Sequence, residues 1–195
     1  MTQPPPPRDG ANLLAAATRA GTKGPPPVHL WNPPWCGEID IRIARDGTWF
    51  HEGSPIGREA MVKLFASILR IDDGRHVLVT PVEKVGIQVE DAPFLAVDFR
   101  TEGTGDARRI TFVTNVGDEA ELGAEHPLRV VIDPVSQEPA IYVDIRRGLE
   151  ARIDRKSFYR LVDLGEEATV EGVAWFGLRA GGRFWPLMPA ADLAG

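Results

Sequence analysis

The sequence predicts an α+β fold of two similar small domains, each a curved antiparallel sheet with one packed helix. Three observations carry this prediction. Short runs alternate apolar and polar residues and are joined by glycine turns, as half-buried strands require. Only two later segments carry apolar residues at helical spacing. Those two segments match each other at a constant offset. With 43% apolar residues in 195 positions, the chain can bury a core in one domain or in two small ones.

The opening ten residues contain four consecutive prolines, Pro4 to Pro7, which fit neither helix nor sheet and predict a disordered lead. A short helix is expected over 11–20, with Asp9 as its cap and Leu13, Leu14 and Ala17 as a thin apolar stripe. Prolines 25–27 then return the chain to extended backbone. Residues 1–30 read as an arm that packs on the body through Leu30, Trp31 and Trp35.

"EIDIRI" begins the first sheet. Ile39, Ile41 and Ile43 point one way, while Asp40 and Arg42 face water. Asp46-Gly47 turns the chain into "TWFHEG". "GREAMVKLFASILR" is an amphipathic helix with Met61, Leu64, Phe65 and Ile68 on one face, stopped by "DDG". Strands follow over 75–100 and in "RITFVTN", then a polar stretch, then "LRVVID" and "PAIYVDIR" around a proline-bounded turn. "DRKSFYRLVDLG" is the second helix, capped by Asp154, and "ATVEGVAWFGLR" with "RFWPLM" forms a closing hairpin.

The two helical segments align residue by residue. Met61, Leu64 and Phe65 fall on Phe158, Leu161 and Val162, an offset of 97, and each helix follows a strand pair containing an aromatic. Downstream, "VEKV" from Val82 rhymes with "VEGV" from Val170. The pattern implies a duplication, with domains over 31–118 and 119–190 and a boundary in the polar stretch 116–126. Duplication creates an interface between similar units, a place where pockets form.

Composition excludes several classes of function. The 28 acidic and 22 basic residues leave a net charge of -6, unsuited to coating a nucleic-acid polymer or an anionic membrane. No run reaches the length of a membrane span. A single cysteine and no signal-like apolar leader point to the cytoplasm. No cofactor is expected.

Motifs for chemistry are sparse. His29, His51, His76 and His126 have no metal-ligand spacing, and no metal is expected. Cys36 and His51 are compatible with a dyad across the first hairpin, but a structural cysteine explains Cys36 more simply. Glu38 with Asp40, and Glu90 with Asp91, pair carboxylates on solvated faces. "RAGGR" from Arg179 is a glycine turn flanked by arginines, able either to hold an anion or simply to turn the chain. Arg58 and Arg155 sit at helix starts, where the dipole disfavours a cation, so a bound anion or an acid contact would explain them.

"WNPPWCGEIDIRIARDGTWFHEGSPIGREAMVKLF", "LVTPVEKVGIQVEDAPF", "FVTNVGD", "HPLRVV" and "GLEARIDRKSFYRLV" resemble the bacterial family of unknown function DUF1285. The likeness runs from Trp31 to about Trp185. It implies a duplicated fold whose second domain is loosely pleckstrin-homology-like, and a nucleotide-related ligand at the domain interface in a signalling role. Its recurring polar positions fall on Glu83, Lys84, Asp91, Asn115, Arg152 and Arg155.

The resulting expectation is a non-enzymatic sensor or adaptor that binds a small anionic, nucleotide-like molecule. Trp35 or Tyr159 would stack a base, and Lys84, Arg152 and Arg155 would hold charge. One alternative is a protein-interaction module that binds a protein partner and no small ligand. Another is a hydrolase using Cys36 or an unrecognised carboxylate.

Overall fold

The computed structural model describes Ala15, Thr18, residues 25–132 and residues 139–194. The expected disordered lead and the turn over 133–138 lie outside the described residues. So does the helix over 11–20, apart from Ala15 and Thr18, which are helical. The chain forms two compact units, Met1–Asp91 and Ala92–Gly195.

In the first unit, a 3-10 turn at Val28–Leu30 leads to β1 (Trp35–Ile43), β2 (Trp49–His51), β3 (Ser54–Pro55), α1 (Glu59–Ser67), β4 (Leu69–Asp72), β5 (Arg75–Val79) and β6 (Lys84–Val89). The six strands form one sheet in the order β3-β2-β1-β6-β5-β4. Ile39, Ile41 and Ile43 are buried as the alternation requires. At the first turn, Gly47 adopts φ 81°, a conformation that favours glycine, while Asp46 Oδ1 accepts from the Thr48 amide.

β3 and β4 lie at opposite edges of the sheet. The segment containing α1 therefore carries the chain from one edge to the other. Its Phe65 is buried and stacks on Trp49, with ring centroids 6.3 Å apart and an 18° interplanar angle. That contact anchors the helix on the sheet.

The helix ends at Ser67, earlier than its apolar spacing predicts. "DDG" is not a helix stop. Asp73 and Gly74 adopt φ 50° and 76° and form the hairpin turn between β4 and β5. Two consecutive positive-φ residues match the right-handed strand twist. Ile68 and Leu69 are buried as the lead into β4, so apolar spacing continues past the end of the helix.

The sheet is mostly antiparallel, with a parallel pair between β1 and β6. Parallel neighbours need a long crossover, and here β2 to β5 and α1 supply it.

The second unit holds β7 (Phe94–Glu102), β8 (Arg109–Thr114), β9 (Glu119–Glu121), β10 (Leu128–Ile132), β11 (Pro139–Arg146), β12 (Leu149–Ile153), α2 (Arg155–Val162), β13 (Glu166–Val170), β14 (Val173–Ala180) and β15 (Arg183–Pro189). One sheet runs β10-β11-β12-β7-β8-β9, again with one parallel pair, β7 with β12. Arg146 on β11 pairs with Asp118 just before β9, so the far edge curls back and partly closes the sheet. α2 is capped as predicted, with Asp154 Oδ1 accepting from the Ser157 amide at 2.7 Å, and it buries Leu161.

The division between units falls after Asp91 rather than in the polar stretch 116–126. That stretch is not a linker. The Thr114 and Asp118 amides bond back within its turn, β9 pairs with β8, and Val116, Ala120 and Leu122 are buried. Its polar residues mark a short edge strand.

Both units contain a hairpin, a helix and a three-stranded meander in the same order. The turn at Asp73-Gly74 corresponds to the one at Glu171-Gly172, an offset of 98 that continues the helical offset of 97. This places "VEGV" at the β13–β14 turn, whereas "VEKV" leads into β6, so that rhyme is replaced. The meanders also end differently. In the first unit β6 joins β1 in the main sheet, while β13-β14-β15 form a separate sheet in the second.

Candidate functional site

Trp35 and Lys84 begin β1 and β6 and are register partners, so the parallel pairing sets an indole beside an amine. Trp35 keeps 45% of its surface exposed. Together with Asp72, Asp73, Arg75 and Val77, these two residues line a cleft of about 400 Å³. That volume suits a small organic ligand.

Asp72 organises the polar wall. Arg70 donates to it through Nε to Oδ1 and Nη2 to Oδ2, both at 2.6 Å, and Lys84 Nζ donates to Oδ2 at 2.7 Å. The fork geometry makes the arginine pair strong and directional. The Arg70 hydrogen bonds hold the Asp72 carboxyl below the usual carboxylate range, against an opposing effect of burial, with Lys84 adding to the lowering. Arg70 also donates through Nη1 to the carbonyls of Val28 at 2.5 Å and Trp31 at 2.8 Å. The arm thus meets β4 through a polar clasp. Leu30, expected to pack on the body, is 72% exposed.

Two features outside the cleft position its residues. Thr80 is buried and shapes the turn before β6, its Oγ1 accepting from the Glu83 amide at 3.2 Å. "TPVEK" is therefore a turn that delivers Lys84, with Glu83 preceding it. Gly86 pairs with both Glu38 and Val77. A Cβ there would lie 2.6 Å from a Glu38 carboxylate oxygen, so glycine leaves that carboxylate room over the sheet.

The remaining expected site residues occupy other places. Arg155 Nη2 donates to the Tyr159 hydroxyl at 3.2 Å along α2, and Tyr159 is exposed. Arg152 lies opposite Tyr142 and Leu95 in the sheet, three positions before Arg155. Asn115 closes a backbone clasp, its Oδ1 accepting from the Leu95 amide while its own amide donates to the Leu95 carbonyl. That role is structural. Asp91 is the last residue of the first unit.

Two sequence motifs lose their chemistry. The Gly181 and Gly182 amides in "RAGGR" donate to the carbonyls of Arg108 and Asp106, and Arg179 pairs with Glu166 and Asp106. Those donors face protein groups rather than an anion. Cys36 Sγ donates to the Pro34 carbonyl, while His51 sits opposite Ile41, five residues along β1 from Cys36. At about 3.3 Å per residue that separation prevents a dyad.

Among the described residues, no group of three or more histidine, cysteine or acidic side chains could hold a metal. No described helix is long and apolar enough to cross a membrane. Sequence reasoning missed Arg70, Asp72 and Arg75. The readable signal was "RIDDGR": arginine and aspartate two apart share one face of a strand, and Asp-Gly turns it.

The comparisons with known proteins divide the chain as the fold does. Residues 26–92 match the N-terminal domain of the DUF1285 family, a domain of unknown function, and residues 93–187 match its C-terminal domain. The crystal structure of a DUF1285 family protein from Silicibacter pomeroyi DSS-3 is 58% identical, with TM-score 0.86, covering 94% of this chain and 98% of that one. A second such crystal structure, from Shewanella baltica OS155, is 31% identical with TM-score 0.51, covering 63% and 90%. No curated protein matches the chain. The two family models together span both units of the structure, and the chain belongs to the DUF1285 family.

Proposed function

We propose that this protein is a non-catalytic sensor or adaptor that binds a small anionic, nucleotide-related molecule and passes its occupancy on as a signal. One observation carries the reading: the cleft of the first unit sets the half-exposed face of Trp35 beside Lys84 and Arg75. An indole stacks a planar base, and the cations meet a phosphate or carboxylate. The proposed site lies within the first unit, and Arg152, Arg155 and Tyr159 are a separate set of candidates within the second. The loosely pleckstrin-homology-like character of the second unit belongs to the same proposal, supported by its partly closed sheet followed by a helix.

A thermal-shift screen against mononucleotides, dinucleotides and cyclic nucleotides tests this, with Trp35→Ala and Lys84→Ala as controls. A saturable shift that both substitutions weaken at least tenfold supports the reading. A flat screen, or binding indifferent to both substitutions, refutes it. A second reading, a protein-interaction module, is favoured by the exposure of Leu30 and Val82, at 72% and 68%. Capture of a single protein partner, lost in a Leu30→Asp, Val82→Asp variant, would replace the first reading with this one.

A further inference from the structure

We infer that Asp72 is the protein's own occupant of the anion position in this cleft, and that a bound ligand displaces it from Lys84. The inference rests on the proposed ligand reading and adds how the site is held before the ligand arrives.

The donors decide which cation can turn to a ligand. An arginine has five N–H donors in a rigid fork. Arg70 uses Nε and Nη2 on Asp72 and Nη1 on the carbonyls of Val28 and Trp31. It is committed to the fold. Lys84 has three rotatable donors on a flexible stem. It reaches Asp72 at Oδ2, an oxygen that already accepts from Arg70.

The exchange is therefore cheap on the protein side. When Lys84 leaves, Asp72 keeps both Arg70 hydrogen bonds and is not stranded as an unpaired carboxylate, the outcome that makes broken ion pairs costly. A ligand anion beside Trp35 gains the amine. Asp72 thus acts through Lys84 as a positioning residue that competes with the ligand, while Arg70 keeps holding the arm.

The test compares adenosine 5′-monophosphate binding to the full chain and to Lys84→Ala, Asp72→Asn and Asp72→Ser variants by calorimetry. Freeing Lys84 from a part-exposed pair should tighten binding about fivefold in both Asp72 variants. Wild-type binding that Lys84→Ala weakens, with Asp72 variants equal to wild type or weaker, overturns the inference and leaves the ligand reading standing. If adenosine 5′-monophosphate binding depends on Lys84 in no variant, the inference is overturned, and a flat nucleotide screen alongside it removes the ligand reading as well. Should the Asp72 variants fail to fold, carboxyl carbon NMR of Asp72 in the unsubstituted protein decides. A shift that saturates with the nucleotide is expected, and an unmoved signal under saturating nucleotide overturns the inference.

Discussion

Replacing Arg70 with methionine should release the arm while leaving the sheet of the first unit in place. Methionine keeps the aliphatic bulk and removes the four hydrogen bonds, two to Asp72 and two to the carbonyls of Val28 and Trp31. The Arg70 and Asp72 side chains are 17% and 20% exposed, so water competes only partly. Hydrogen bonds to charged groups contribute about 1.5–3 kcal/mol each when sheltered, and exposed ion pairs about 0–1. Those values are not additive, and Asp72 keeps Lys84, so the local loss is about 2 kcal/mol. That corresponds to about 30-fold faster hydrogen exchange at the amides of Leu30 and Trp31, which bond to Pro27 and Val28.

The same substitution has a pH signature. Asp72 titrates below its ordinary range in the folded protein, so its pairing stabilises above that range and is lost as pH falls through the folded value. The difference between wild type and Arg70→Met should therefore be full at neutral pH and shrink as the solution becomes strongly acidic. Exchange over 28–31 that is unchanged at neutral pH would refute the claim that Arg70 holds the arm.

Three further outcomes follow from the packing. Phe65→Ala should cost about 3–5 kcal/mol in urea unfolding and alter the Trp49 fluorescence, because the ring is buried and stacked on that indole. Gly177→Ala should destabilise the second unit by at least about 1–3 kcal/mol, since a Cβ there meets the Trp185 carbonyl of the paired strand, and backbone yields less readily than a side chain. Asp144 titrates above its ordinary range because burial disfavours its charge, and its buried Oδ1 has no hydrogen-bond partner among the described residues. Asp144→Asn should accordingly raise the melting temperature slightly at pH 7, a gain that disappears as pH falls and the aspartate itself becomes neutral.

Local chemistry wrote most of the elements legibly into the sequence. "EIDIRI" alternates because one face of β1 is core, and Asp154 caps α2 through an oxygen that only a few residue types supply. The junction after Asp91 was harder to see, because "EDAPF" is no more polar than the turn at 116–118. Helix α1 ends before its apolar spacing does, because Ile68 and Leu69 are buried in either conformation and periodicity cannot separate the two. The cleft was half legible. Trp35 and Lys84 stand out as residues, but their adjacency depends on a parallel register between strands 49 positions apart, which no local pattern encodes. Arg70 and Asp72 are hidden for the same reason, since the apolar spacing of α1 runs on into β4.

The parallel pairing of β1 with β6 has a consequence for how the chain emerges from a ribosome. The first strand of the unit sits mid-sheet beside its last, so no translation product that ends short of β6 can complete that sheet. A nascent chain that stops before Lys84 holds β1 and β5 with bare hydrogen-bonding edges, each a template for a wrong partner. The second unit repeats the arrangement, since β7 waits for β12. Each unit must therefore close late and over a long separation in sequence, which slows folding relative to local hairpins. Short edge strands such as β3 and β9, the latter with its exposed glutamates, are then assets during synthesis, because they offer little to pair with while the central strand is still missing.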